Sequence, residues 1–461
     1  MLKKLTIGET VKAVSGKLLA GRETDTYTGV STDSRTVSGG DLFFAIEGER
    51  FDAHDFLSQA TGNGCCALAV SKTTAVPQDF SGAVIEVSDT LRAYQDLAAY
   101  YRNLIDPTTV GVTGSVGKTS VKDMLAFVCG AARRTVRSEK NYNNHIGVPR
   151  TIFEMEEDTE TLILEMGMNH SGEIRRLAEI GRPDIAIISN IGVIHREHFD
   201  TDDGIFNAKM EITAFFGKDN VLVVNGDDPY LKRVREMPNR PYRLVTVGAD
   251  ESCDFIVETP QYTGDSEISF RITHGRESQR FILPVAGLYN GVNAGLAVAA
   301  LHELGIGMGE ASEALRTIER TAHRLQLLEC DGFKIIDDTY NAGPDSMRSG
   351  VEYLMAVTGD RKIAVLAGMN ELGDRSSSLH EDLGRFVATS GVDLLVTVGE
   401  KARGIAAGAG MDKHRHFADN DAAAAFLIKQ KQNGDVYLMK GSRSMRMEDV
   451  VDALMGENRY D

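Results

Sequence analysis

Residues 110–125 read VGVTGSVGKTSVKDML. An apolar, β-branched run meets glycines at 111, 114 and 117, and Lys118–Thr119–Ser120 then open a helical pattern. Glycine has no Cβ, so a backbone turning through Gly114, Ser115 and Gly117 can bring its N–H groups close to phosphate oxygens. Lys118 then reaches the β- and γ-phosphates, and the Thr119 hydroxyl suits Mg²⁺. Strict phosphate-loop spacing asks for glycine at 112, where this chain has valine. The competing reading is an ordinary strand–turn–helix with an accidental Gly-Lys-Thr. The stretch predicts an ATP site on an α/β fold, with Gly114, Ser115, Gly117, Lys118, Thr119 and Ser120 around the phosphates.

The pattern on either side agrees. Downstream, the runs TLILEMG (161–167), DIAIISNIG (184–192), NVLVVNGDDP (220–229) and RLVTVG (243–248) alternate with helical stretches. That rhythm predicts a parallel sheet binding ligands at its carboxyl edge. EISFRITHG and SQRFILPVAG, between 250 and 285, read as antiparallel strands, and NAGLAVAALHELG (293–305) as a helix. After about 320, KIIDD, KIAVLAG, LLVTVGE and VYLMKG repeat the strand–helix alternation. Upstream, LFFAIEG (42–48), CCALAV (65–70) and AVIEVSD (83–89) read as buried strands before a helix over 89–104. A length of 461 residues fits three α/β domains. We expect boundaries of 1–88, 89–318 and 319–461, the last being Rossmann-like.

Composition excludes several classes of function. Lys+Arg total 50 against 67 Asp+Glu, a net charge of −17. Non-specific nucleic-acid binding draws its affinity from cations that neutralise phosphates, so no nucleic-acid partner is expected. No run reaches about 18 uninterrupted apolar residues, so no membrane span is expected. The N-terminus lacks a secretory pattern, and the five cysteines show no C-x-x-C spacing. Both point to a cytoplasmic protein without disulfides or zinc.

Further candidates are polar residues near strand ends. Glu165 ends TLILE, where a carboxylate can take a hard cation, although alone it reads as a solvated strand-end acid. His195, in SNIGVIHREHF, alone reads as structural, and Lys209, in AKMEI, as solvated. Asn141, Asn143 and Asn144 make a loop of side-chain amides that suits a polar ligand or a plain turn. Arg324 can clamp phosphate, and Asp338, at the end of KIIDD, can accept from a ribose hydroxyl. Asn341 follows. Lys440, Arg443 and Arg446 form a basic stretch, either anion-binding or merely solvated.

These motifs, in this order and over the whole chain, resemble the Mur ligase family. STDSRTVSGGDLFFAIEGERFDAHDF (31–56) is similar to its uridine-nucleotide domain, although Ala53 stands where glycine is usual. The resemblance implies an ATP-dependent ligase that forms an amide through an acyl phosphate during peptidoglycan precursor synthesis. GMNELGDRSSSLHEDLG and KGSRSMRMED favour the activity that joins D-alanyl-D-alanine to UDP-N-acetylmuramoyl-tripeptide. The resemblance further implies two Mg²⁺, with Thr119, Glu165, His195 and Lys209 as ligands, Lys209 being carbamylated by CO₂. Lys118, Lys209 and His195 become catalytic. Asn290, Asn293, Arg324, Asp338 and Asn341 become ATP contacts, with Tyr289 where histidine is usual. Ser34, Arg35, Asn141, Asn143 and Asn144 become contacts of the UDP substrate. Lys440 and Arg443 become contacts of the dipeptide. A monomer is expected. The rivals are a sibling ligase that adds one amino acid, a non-ligase phosphate-loop ATPase, and an inactive homologue that only binds.

Overall fold

The computed structural model describes residues 3–48, 51–192, 199, 201–319, 323–410 and 412–456. Among them the strands form sheets of five, ten and six. None of the described helices is long and apolar enough to cross a membrane. The chain divides into two compact units: Met1–Thr113 with Cys129–Ala186 and Met210–Val221, and Gly114–Val128 with Ile187–Lys209 and Leu222–Asp461.

In the first unit the five-stranded sheet runs Lys17–Ala20, Ala83–Glu86, Ala67–Val70, Asp41–Phe44, Gly29–Ser31. The first pair is antiparallel and the others parallel. Ala67–Val70 is buried at every position, as expected for a parallel strand covered on both faces. Phe43, Leu68 and Val70 pack with Leu57 and Ala60 into one core. Helix Thr90–Ile105 follows. The Asp89 side chain accepts from Arg92 N–H at its start, and left-handed Asp106 ends it. Strand Thr108–Thr113 then pairs in parallel with Thr161–Glu165, which also carries Thr135–Arg137. Val112 lies opposite Glu165, so Thr113 and Glu165 leave the sheet at one edge.

In the second unit the predicted antiparallel pair exists: Glu267–His274 and Glu277–Leu283 pair over seven positions. Glu267–His274 also pairs with Gln261–Gly264 and Phe255–Val257. The turn after Gly264 hooks onto the six-stranded sheet and its helix. Asp265 accepts from Lys334 Nζ at 2.5 Å and from the Thr358 N–H and hydroxyl at 2.9 and 2.7 Å. Its carbonyl accepts from the Tyr353 hydroxyl, and Tyr262 stacks on Tyr353 with ring centroids 5.7 Å apart.

The six-stranded sheet runs Gln326–Cys330, Phe333–Asp338, Asp435–Lys440, Arg361–Ala367, Leu394–Val398, His414–Phe417. All pairs but the first are parallel, with an apolar core on each face. Its outermost strands are too polar to stand out in the sequence. The expected helix at 293–305 spans Asn290–Glu303, three residues earlier at its start.

Candidate active site

The phosphate loop lies in the second unit, at the start of helix Lys118–Ala132. Two glycines are required there. A Cβ on Gly114 would stand 1.9 Å from Ser189 Oγ, and one on Gly117 would stand 2.5 Å from Asn293 Oδ1. Both backbones also have positive φ, +148° and +85°. Val112 lies inside the strand, so the turn begins only at Gly114 and the valine is compatible with it. Lys118 Nζ donates to the carbonyls of Gly114 and Ser115 at 2.7 and 3.1 Å. The N–H groups of Ser115 and Val116 donate to Asn190 Oδ1 at 3.0 and 2.8 Å. Ser189 Oγ donates to the Val116 carbonyl at 2.5 Å.

Four expected or flagged residues converge beside this loop. Ser120, Tyr289, Asn290 and Arg324 line one cleft, with Val285, Ile318 and Leu325 as its apolar wall. Arg324 donates to the Thr119 hydroxyl at 3.2 Å, and its guanidinium lies 4.2 Å from the centre of the Tyr340 ring. Asn293 donates to Asn290 Oδ1 at 3.0 Å, and Asn290 donates to the Ala286 carbonyl at 2.6 Å. A cleft with an apolar wall, an amide and a guanidinium suits a nucleoside next to phosphates.

Two lysines whose own segments read as solvated are in fact buried. Lys209, in the last turn of helix Asp202–Met210, is 1% exposed, and burial with the nearby Lys118 cation drives its ammonium well below the usual lysine range. An amine in that setting favours its neutral, nucleophilic form. Lys440 is the last residue of its strand, not part of a solvated loop. It is also 1% exposed, pairs with Asp338 at 2.6 Å and donates to the Asn341 carbonyl at 2.9 Å. Asp338 Oδ1 also accepts the Leu325 N–H at 3.2 Å, which ties Asn341, Asp338 and the Arg324 segment together. Arg443 and Arg446 do sit at the surface, paired with Glu448 and Asp449.

In the first unit Glu165 is likewise buried rather than solvated, and accepts from Asn143 Nδ2 at 2.9 Å. Asn144 turns its side-chain carbonyl onto the N–H groups of Ile146 and Gly147, so its oxygen caps the next helix. The Asn141 carbonyl accepts the Asn143 N–H at 2.7 Å. Ser34 Oγ donates to Gln59 at 2.8 Å. Arg35 is exposed and gripped by both oxygens of Asp33 at 2.9 and 2.7 Å, and this holds the Asp33 carboxyl down to about 2. His195 lies outside the described residues.

Sequence reasoning missed Asn190, Asp33 and His380. His380 is buried, with Nε2 accepting the Met369 N–H at 2.9 Å and Nδ1 against the Ser376 carbonyl at 2.6 Å.

Three α/β sheets with a phosphate loop at a strand's carboxyl end define the class: a phosphate-loop α/β protein. Family models subdivide it further. Residues 26–106 match the catalytic domain of the Mur ligase family, 112–301 the Mur ligase middle domain, and 323–443 the Mur ligase glutamate ligase domain. The chain is 34% identical to the UDP-N-acetylmuramoyl-tripeptide–D-alanyl-D-alanine ligase of Bacillus subtilis, covering 98% of both chains. It is 33% identical to the Escherichia coli ligase of that name, over 93% of this chain and 94% of that one. The crystal structure of MurF from Acinetobacter baumannii superposes with a TM-score of 0.92, at 32% identity and 99% coverage of both. MurF ligase from Thermotoga maritima in complex with ADP gives 0.83 at 29% identity, over 93% of this chain and 97% of that one. The chain belongs to the Mur ligase family.

Proposed function

We propose that this chain joins D-alanyl-D-alanine to UDP-N-acetylmuramoyl-tripeptide at the expense of ATP, in peptidoglycan precursor synthesis. The carrying observation is the convergence of Lys118, Thr119, Asn290 and Arg324 on one loop and cleft, in a chain alike over its full length to ligases of that name. A non-ligase ATPase would not need the sheets before and after the phosphate loop. A sibling that adds one amino acid is less favoured, because the near-full-length relatives carry the dipeptide-adding name.

The chemistry needs two displacements. A carboxylate is a poor acyl donor, so an oxygen of the tripeptide's terminal carboxylate attacks the γ-phosphorus and the bond to ADP breaks. The dipeptide amine then attacks the acyl-phosphate carbon, loses its proton, and inorganic phosphate leaves. Lys118 offsets the charge of the transferring phosphoryl group. Arg324 and the Thr119 hydroxyl, already bonded to each other, orient the phosphates. The cleft by Tyr289, Asn290 and Ser120 receives the adenosine, with Asn293 fixing Asn290 and with Asp338 and Asn341 at the ribose side. Gly114, Ser115 and Gly117 let the backbone approach the phosphates.

We read Thr119, Glu165, His195 and carbamylated Lys209 as the ligands of two Mg²⁺. The donor chemistry fits: a hydroxyl, a buried carboxylate, and a buried amine whose surroundings disfavour its charged form and which can add CO₂ to become an oxygen donor. When bound, the metal neutralises charge between the phosphates. Lys209 must lose a proton to add CO₂, and its burial beside Lys118 favours that loss.

Ser34 and Arg35 hold the uridine diphosphate, and Asn141, Asn143 and Asn144 the rest of that substrate. The exposed Arg443 meets the dipeptide. Lys440, paired with Asp338, acts on it through the Asn341 segment. Residues 1–88, 89–318 and 319–461 serve the UDP substrate, ATP and the dipeptide. We place the protein in the cytoplasm as a monomer.

The test is ADP release with each substrate omitted in turn. Turnover should need both the UDP-tripeptide and D-alanyl-D-alanine, and Lys118→Ala should abolish it. ATP hydrolysis without either substrate favours the ATPase reading.

A further inference from the structure

We propose that Asn190 is a positioning residue for ATP: its side-chain amide braces the phosphate loop and thereby aims the start of helix Lys118–Ala132 at the nucleotide. This rests on the ATP reading above and adds a residue to it.

The loop's backbone groups divide by partner. Carbonyls of Gly114 and Ser115 turn towards Lys118 Nζ. The N–H groups of Ser115 and Val116 both donate to the single oxygen Asn190 Oδ1, at 3.0 and 2.8 Å. The Asn190 main-chain carbonyl accepts the same Ser115 N–H at 3.0 Å. The residues flanking Asn190 grip the loop as well. Ser189 Oγ donates to the Val116 carbonyl, and the Gly192 N–H donates to Ser115 Oγ at 2.8 Å. Gly114 has no Cβ and so lies flush on Ser189.

A glycine-rich turn is soft, and its N–H groups bind phosphate well only when their directions are fixed beforehand. Asn190 supplies that order: one planar amide oxygen, carried on the rigid end of strand Ile185–Ile188, accepts two consecutive N–H groups and sets the peptide planes of the turn. The first helical bond, Val121 N–H to the Gly117 carbonyl at 2.9 Å, follows directly. Helix N-terminal groups are the ones that meet an anion, so an error in the turn becomes an error at the phosphates.

Asn190→Ala removes the side-chain acceptor: the Val116 N–H loses its partner, and the Ser115 N–H keeps only the main-chain carbonyl of residue 190. We expect ADP affinity by calorimetry and the KM for ATP to worsen about tenfold or more, since two hydrogen bonds to the loop are lost. The KM for UDP-tripeptide should stay within about twofold. The Val116 amide, followed by NMR hydrogen exchange, should be protected in the wild type with and without ADP, and should lose protection in the variant. Wild-type ADP binding with an unaffected variant overturns the inference and leaves the ATP reading standing. Equal losses for both substrates mean general damage and also overturn it. A wild type that binds no ADP overturns the ATP reading, and this inference with it. If the alanine variant does not fold, wild-type exchange decides: a fast-exchanging Val116 amide refutes the brace, and slow exchange unchanged by ADP supports it.

Discussion

Replacing Lys440 by methionine tests whether the strand-end ion pair is structural. Lys440 Nζ stands 2.6 Å from Asp338 Oδ2 and donates to the Asn341 carbonyl at 2.9 Å, with side chains 2% and 11% exposed for the lysine and aspartate. Methionine preserves the stem and most of the volume, so the change is electrostatic. It leaves a buried carboxylate without its cation, which costs roughly 3–5 kcal/mol. With a urea slope near 3 kcal/mol/M, the unfolding midpoint should fall by about 1–1.7 M. The chain has no tryptophan, so far-ultraviolet circular dichroism and tyrosine fluorescence are the readouts. The difference should persist at high salt, because buried pairs are poorly screened. Asp338→Asn combined with Lys440→Met should cost less than the two single losses together, by on the order of 1–3 kcal/mol. The KM for ATP should rise too, since Asp338 anchors the Leu325 N–H beside Arg324. If Lys440→Met lies within about 1 kcal/mol of the wild type, the pair is effectively solvated and Lys440 is available to bind the dipeptide directly.

Lys209→Ala should keep its fold by circular dichroism and lose most activity. Acetate should restore part of the rate and bicarbonate none; wild-type kcat at saturating Mg²⁺ refutes the carbamate. Arg35→Ala should raise the KM for the UDP substrate roughly tenfold with the KM for ATP unchanged, and Asp33→Ala should act in the same direction more weakly; an effect confined to ATP removes the uridine role. Burial holds the His380 imidazole below its ordinary 6.5, so the folded state binds fewer protons than the unfolded one and stability rises with pH there. Acidification from pH 7 through 6.5 and below should therefore destabilise the protein as the Met369 N–H loses its acceptor, and His380→Leu should flatten that dependence; parallel pH curves for the two proteins refute it.

The phosphate loop is legible in the sequence because its requirement is on the backbone: Gly114 and Gly117 admit no side chain, and a lysine follows at once. The parallel sheets are legible because strands such as Ala67–Val70 are apolar at every position. Asn290, Asn293 and Arg324 become candidates for nucleotide contact mainly through the family resemblance, since their meeting depends on segments some 170 to 200 residues beyond the loop. The burial of Lys209 and Lys440 is not legible in the sequence because burial is a tertiary property; a strand-end lysine such as Lys440 looks the same whether it meets water or a buried aspartate. Asn190 is not singled out from the sequence, because it lies inside the run DIAIISNIG, read as strand, and its role shows only once Ser115 and Val116 are seen to donate to it. Strand His414–Phe417 escapes because an edge strand can be polar.

The hook at Asp265 bears on how this gene can be cut. A fragment beginning near residue 319 would carry Lys334, Tyr353 and Thr358 without the turn that engages all three. Its surface would gain a bare tyrosine ring where Tyr262 had stacked and a lysine stripped of its carboxylate. Such a truncation invites aggregation during expression, and swapping this segment between homologues succeeds best when hairpin 261–274 travels with it.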